Sequence, residues 1–339
     1  RQLMPHGVPN SWMAGFYPGT EIFAAHGSGA YFEDVDGNRY LDMTQCDLSM
    51  ACGFGPAPIA EAVAARFAAG SHFLLPIEDT IEVCRLLRAR FGMAAWQFTL
   101  SASAANTEAI RIARFATGRD KVLIFAGKYH GHLDETLVDV SGAEHHGLPR
   151  GVEHKTIEVP FNDLAAVEDA LRAGDVACIL TEPVMTNIGV IHPDDGFLDG
   201  LRDLTRRHGA LLIIDETHTQ VACFGGFTRR WNLQPDILTL GKCVGGGVPV
   251  GVYGMTQDLS DLVMRNTEPT VAEGKTLALG GTTYGNALNI AAARAALAHV
   301  LTEANYARVE AFGAQLADGI DALIAERRLP WRARRRCSA

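Results

Sequence analysis

Five short apolar runs, spaced along the chain with helix-like segments among them, constrain this sequence more than any other feature. Residues 96–100, 121–126, 177–181, 210–214 and 236–240 read as strands, and most of them carry few polar residues. Strands apolar on both faces belong inside a parallel sheet, because only helices packed on both sides remove both faces from water. The segments around them supply those helices: the spacing predicts helices over 58–69, 78–91, 104–116 and 196–208. The expected fold is α/β, a mainly parallel sheet flanked by helices. Ligands bind such sheets beyond the carboxyl ends of the strands, so the residues at those ends are the first candidates for function.

Two strand ends carry the sharpest signal. Residues 237–247 read Ile-Leu-Thr-Leu-Gly-Lys-Cys-Val-Gly-Gly-Gly, which places Lys242 between an apolar strand and a glycine-rich bend. Twenty-seven residues earlier, Ala-Leu-Leu-Ile-Ile ends in Asp215-Glu216. Pyridoxal phosphate (PLP) chemistry needs this pair of groups: a lysine amine forms a Schiff base with the cofactor aldehyde, and an aspartate keeps the pyridine nitrogen protonated so that the ring accepts electrons. Either half alone is common, since many α/β strands end in acids and Gly-Lys-x-x-Gly occurs in surface loops. The chain has only five lysines, however, and Lys242 alone combines an apolar strand before it with glycines after it.

Composition narrows the classes further. At 339 residues the chain can bury a sizeable core, with 47% hydrophobic and 20% charged residues as in ordinary globular proteins. A net charge of −9 argues against general nucleic-acid binding, and the one basic cluster, Arg332 with Arg334 to Arg336, reads as a solvated tail. No apolar stretch is long enough for a membrane-spanning helix. Seven scattered cysteines without a CxxC pair point to a reducing, cytoplasmic setting.

Other residues could complete a cofactor site. Ser101, Ala102 and Ser103 sit between a strand and a helix, where backbone N–H groups and two hydroxyls would hold a phosphate. A plain serine N-cap explains the same residues. Gly280 to Asn286 contains Thr282, a further hydroxyl, within what also reads as an ordinary glycine-rich turn. Tyr129, followed by His130-Gly131, lies after the strand 121–126 and could stack on the ring or simply pack in the core. Residues 30–43 read as a β-hairpin turning at Asp36-Gly37-Asn38, and 286–300 and 303–326 as two helices. Arg1 is not a methionine and the chain stops soon after Trp331, so the sequence is expected to be a fragment at both ends.

Taken together, these segments resemble the class III, fold-type I PLP-dependent aminotransferases, and within them the glutamate-1-semialdehyde aminomutase-like branch. The resemblance runs along nearly the whole chain. It rests on Asp215-Glu216-Thr217, the Gly241–Gly247 loop, Phe98 to Ala105, Tyr129 to Gly131, Gly281 to Asn286, and Glu182 to Gly189 with Asn187 as the choice of that branch. The resemblance implies Lys242 as the Schiff-base residue, Asp215 as the pyridinium partner and Ser101, Ala102 and Ser103 as the phosphate cup. It places Thr217 on the ring face opposite Tyr129 and His218 near the phenolic oxygen, with His130 and Glu182 also in the cofactor site. Thr282 is implied to reach the phosphate of the neighbouring subunit in a homodimer. Three units are implied: an N-terminal segment over 1–50, a large PLP-binding domain over 51–290, and the incomplete start of a C-terminal small domain over 291–339.

Several positions depart from the family pattern. Ala102, Ser103 and Ala104 stand for Gly, Thr and Glu, Thr217 stands for Val, and Ala14 stands where the aminomutases carry a carboxylate-binding arginine. Trp12, Met13, Phe16 and Tyr17 would then line a pocket for a less polar amine, or merely pack together, and the resemblance implies Ser11, Trp12 and Asn187 as the residues that meet substrate. The expected reaction is amino transfer between an amine or amino acid and a keto or aldehyde acceptor, with Lys242 as general base. An aminomutase or racemase would use the same residues. A metal-dependent hydrolase built on His130, His132, His145, His146 and His218 lacks ligand spacing, and no strand precedes a GxGxxG. A non-catalytic PLP-binding chain is the remaining alternative.

Overall fold

The computed structural model describes residues 3–15, 22–138, 147–267, 277–335 and 337. A small antiparallel sheet near the N-terminus holds β1 (Ala24–Ser28), β2 (Tyr31–Asp34) and β3 (Arg39–Leu41). The last two form the expected hairpin, with Tyr31 opposite Leu41. Asp34 closes its turn by accepting hydrogen bonds from the backbone N–H groups of Asp36 and Asn38 and from the Tyr40 hydroxyl.

Helices α1 (Ala57–Ala68) and α2 (Glu78–Phe91) lead into the main domain. There follow β4 (Ala95–Thr99), α3 (Ala102–Thr117), β5 (Lys121–Phe125), the single turn α4 (Asp134–Leu137), β6 (Thr156–Val159), α5 (Leu164–Leu171), β7 (Val176–Thr181), α6 (Phe197–His208), β8 (Leu211–Asp215), the short α7 (Gly226–Arg230), β9 (Ile237–Leu240), β10 (Gly251–Met255) and α8 (Gln257–Thr267). Helices α9 (Ala287–Ala295) and α10 (Glu303–Arg327) complete the described chain.

The seven-stranded sheet has the order β4-β10-β9-β8-β7-β5-β6. Pairing is parallel from β9 through β6, and β10 alone runs antiparallel to both of its neighbours. The sheet is therefore mixed, as a single reversed strand makes it. All six residues of β7 are buried, as the two-faced apolar run requires. On one face α3 and α8 pack with Ile112, Val122, Leu180 and Tyr253; on the other, α5 and α6 pack with Phe125, Ile179 and Leu201. Helices α1, α2 and α9 enclose a third cluster around Leu87, Leu240, Val252 and Ile290.

Register brings one edge of the sheet to a common level. Thr239 pairs with Asp215, Leu240 with Val252, and Thr99 with Gly251. Because β10 is reversed, its beginning lies where β4, β8 and β9 end. Five turns meet there: those after β4, β5, β7, β8 and β9, the last of which leads into β10.

The expected helix over 286–300 is interrupted. After α9 the backbone widens into one π-helical turn over Ala296–Val300, a local irregularity that an alanine-rich stretch does not announce. Helix α10 has no buried residue and leaves Phe312, Leu316 and Leu323 exposed. Among the described residues no helix is long and apolar enough to cross a membrane.

Candidate active site

At the convergent edge lies a cleft of 390 Å³, within the range of roughly 300–1,000 Å³ that holds small ligands. Its walls contain Ser101, Ala102, Ser103, Tyr129, His130, Glu182, Asp215, Thr217, His218 and Lys242. Ten residues singled out from separate stretches of sequence thus share one cavity. Thr282 is exposed on its own turn and is not among the walls of this cleft, and neither are Asn187, Ser11 and Trp12. Asn187 instead donates to the carbonyl of Gly127 at 3.3 Å. Phe16, Tyr17, His145 and His146 lie outside the described residues.

Helix α3 begins earlier than its apolar spacing indicates. Ser101 is extended and caps it, accepting a hydrogen bond from the Ala104 N–H at 3.2 Å. Ala102 and Ser103 therefore form its first turn, whose N–H groups have no intrahelical acceptor. Ser103 Oγ accepts from the N–H of His132 at 3.1 Å. That contact is possible because Gly131 has φ of 92° and no side chain; a Cβ there would lie 2.1 Å from Ser103 Oγ. Gly241 serves the neighbouring turn in the same way, since its Cβ would lie 2.8 Å from that of Ala102. The turn carrying Lys242 is pressed against the start of α3 by this close approach.

Asp215 ends β8 in a buried, fully bonded setting. Its Oδ2 accepts from Asn106 Nδ2 and pairs with His130 Nδ1, both at 2.9 Å, and its Oδ1 accepts from the Thr217 N–H at 2.9 Å. Burial alone would raise its pKa, but the hydrogen bonds and charge of His130, with Thr217 and Asn106, outweigh it and hold the carboxyl at about 2. Asp215 is an anion at any ordinary pH. Asn106, which the sequence reading missed, also accepts from Thr239 at 2.7 Å and donates to the His130 carbonyl at 3.0 Å. Its signal was available: an asparagine on the buried face of α3, between Ala105 and Ala109, has to find partners inside.

Lys242 has φ of 51° and projects into the cleft mouth. Its Nζ lies 2.5 Å from Asp47 Oδ2, 2.9 Å from the Asp47 carbonyl and 2.5 Å from His218 Nε2. On the other side of the ring, His218 Nδ1 meets Thr186 Oγ1 at 2.5 Å, and Thr186 reaches Glu182 Oε2 at 2.5 Å. Burial, then the adjacent Lys242, lowers the pKa of His218. Asp47 and Thr186 were both missed. Thr186 lies inside the Glu182–Gly189 motif and was legible there; Asp47 stands in an irregular stretch with no periodic pattern.

Three polar atoms in the cleft walls find no partner among the described residues: His130 Nε2, Glu182 Oε1 and Thr217 Oγ1. Burial, against the pull of His130 and Thr186, raises Glu182 to about 7. A carboxyl with a raised pKa stabilises the folded chain below its unfolded value of 4.5 and loses that contribution as pH climbs through 7. The shift corresponds to about 3 kcal/mol. Glu182→Gln in the cofactor-free protein is therefore expected to match the parent in thermal melting at pH 4, below the unfolded value, and to exceed it at pH 8.5. Equal differences at both pH values would show that Glu182 is not held neutral.

An amine, an anionic carboxylate and a helix N-terminus facing one cavity match a known group of proteins. A sequence model of the Aminotransferase class-III family covers residues 15–336. The chain belongs to the class-III aminotransferases. It is 38% identical to the glutamate-1-semialdehyde 2,1-aminomutase of Roseiflexus castenholzii, over 96% of this chain and 76% of that one. The crystal structure of a glutamate-1-semialdehyde-aminomutase from Pseudomonas aeruginosa PAO1 superposes with a TM-score of 0.91 at 40% identity, over 98% of this chain and 76% of that one; a variant of that enzyme has been solved in complex with PMP. An omega-transaminase from Sphaerobacter thermophilus superposes with a TM-score of 0.90 at 27% identity, over 99% and 78%. As a class-III aminotransferase with this fold, the chain is an enzyme of small-molecule amino-group chemistry. Among the described residues no three His, Cys, Asp or Glu side chains are grouped to hold a metal ion, and His130 and Asp215 bond to each other instead.

Proposed function

We propose that this protein is a PLP-dependent aminotransferase that moves an amino group between an amine or amino acid and a keto or aldehyde acceptor. The observation that carries the reading is the meeting of Lys242 Nζ, ionised Asp215 and the first turn of α3 in one cleft. The residues present fit the cofactor. The α3 turn, with Ser101 and Ser103, suits its phosphate; Asp215 suits the ring nitrogen; and the unpartnered Thr217 and His130 atoms suit polar groups of a ligand. When bound, PLP supplies an electron sink for the bonds at the substrate carbon.

The chain's own residues do the rest. Asp215 stays charged because His130, Asn106 and Thr217 hold it, so a protonated nitrogen opposite it is favoured. Tyr129 and Thr217 line the cavity, where they would cover the faces of a bound ring. Lys242 is the covalent anchor and, once free, the base that takes a proton from the substrate carbon. Thr282 serves the neighbouring site of a homodimer, which accounts for its exposure on its own chain. Residues 51–290 form the cofactor domain, with 1–50 and 291–339 belonging to a smaller unit, and the protein works in the cytoplasm.

A second reading, 2,1-aminomutase activity on glutamate-1-semialdehyde, is favoured by identities of 38–40% to proteins of that name. One experiment separates the two. PLP is added to the purified chain, the visible spectrum is recorded, and a panel of amines is then added without acceptor. A visible band that bleaches with particular amines is expected for the aminotransferase. Isomerisation of glutamate-1-semialdehyde with no added acceptor would favour the mutase, and absence of any band would remove the PLP reading.

A further inference from the structure

Three acceptors surround the amine of Lys242: Asp47 Oδ2, the Asp47 carbonyl and His218 Nε2. An ammonium has three N–H bonds to give, whereas a neutral amine has two. The direction of the neighbouring bonds agrees. If His218 Nε2 accepts from Lys242, its Nδ1 carries the proton and donates to Thr186 Oγ1, leaving the Thr186 hydroxyl to donate to Glu182. Every group in the chain then has one consistent role.

The backbone that presents Asp47 is unusual. Gln45, Cys46, Asp47 and Leu48 have φ of 53°, 47°, 55° and 64°, four successive non-glycine residues in the left-handed region. A turn that L-residues adopt so reluctantly puts both acceptors of one residue on one amine. Strain of this kind gathers where a side chain has to be aimed.

We propose that Asp47 is a parking carboxylate for Lys242: a positioning residue that holds the amine as an ammonium at the cleft mouth in the cofactor-free chain. The inference rests on the reading in which Lys242 is the covalent anchor. It assigns Asp47 the control of when the amine becomes nucleophilic. Charged and titratable groups facing this region are Asp47, His218, Asp215, His130, Tyr129 and Cys243. Of these, Asp47 alone is a carboxylate touching Nζ. The Asp47 side chain is 52% exposed, so salt should weaken its hold.

The test uses the full chain without cofactor. Lys242 is modified with acetic anhydride across pH 6–11 and quantified by peptide mass spectrometry against an added lysine peptide. Asp47→Asn is expected to raise the reactivity of Lys242 about three- to five-fold near neutral pH, the weight of a half-exposed ion pair, and Asp47→Glu to restore the parent profile. In 1 M KCl the parent profile should move toward that of Asp47→Asn, which should itself stay in place. Superimposable profiles for parent and Asp47→Asn overturn the inference. If that variant does not fold, a parent profile unmoved by salt overturns it instead. The visible band on adding PLP is scored separately. A band without a labelling difference rejects Asp47 alone, and no band removes the functional reading together with this inference.

Discussion

Replacing Lys242 with alanine is expected to abolish turnover while leaving the fold and reversible cofactor binding in place. Losing a positioned general base costs about a hundred- to ten-thousand-fold in rate, and losing the covalent anchor adds to that. The fold should survive because the lost contacts are a pair with a half-exposed Asp47, worth about 1 kcal/mol or less, and one bond to His218. Alanine meets the same left-handed φ of 51° that lysine already tolerates, so the backbone gains no new strain. Binding should persist because Asp215 and the α3 turn do not depend on residue 242. Borohydride reduction followed by denaturation checks the point directly: the parent should retain cofactor mass on the peptide containing Lys242, and the variant should retain none. Undiminished amine turnover in Lys242→Ala would falsify the central assignment.

What could be read from the sequence follows a physical pattern. Strands β5, β7, β8 and β9 were legible because a doubly covered parallel sheet demands unbroken apolar runs. Strand β10 was not, because packing placed glycines in it. A Cβ at Gly251 would lie 2.2 Å from the Ser101 carbonyl oxygen, and one at Gly254 would lie 2.8 Å from the Met93 Cβ. The close approach that brings Ser101 to the site therefore erased the strand signal. Edge strand β6, Thr-Ile-Glu-Val, is too short and polar to register. Within the site, Lys242 and Asp215 were legible because one of only five lysines stood at a strand end, with an aspartate at the end of the preceding strand. Asp47 was not, because an irregular turn places it, and only the assembled chain shows which amine it faces.

Asp215→Asn is expected to lower turnover about a hundred- to thousand-fold, the usual cost of removing one preorganised charge from a site. It should also destabilise the chain in a way that depends on pH. The folded carboxyl sits at about 2 against an ordinary value of 3.8. A depressed carboxyl contributes stability above its unfolded pKa and loses it as pH falls through the folded one. The contribution is thus about 2 kcal/mol at pH 7, roughly half of that at pH 3, and gone below about pH 2. Asparagine keeps the shape and can still accept from the Thr217 N–H through its amide oxygen. Its NH₂ group, standing in place of Oδ2, would face both His130 and the Asn106 amide, which donate to that oxygen in the parent. At least one donor is then left without an acceptor in a buried place, which adds about 1–3 kcal/mol that does not vary with pH. Urea unfolding of parent and variant at pH 7 and pH 3 separates the two parts: the gap should narrow by about 1 kcal/mol but not close. A gap independent of pH would mean that Asp215 is not held as an anion by its neighbours, and the charge placed opposite the cofactor nitrogen would then have to come from another residue.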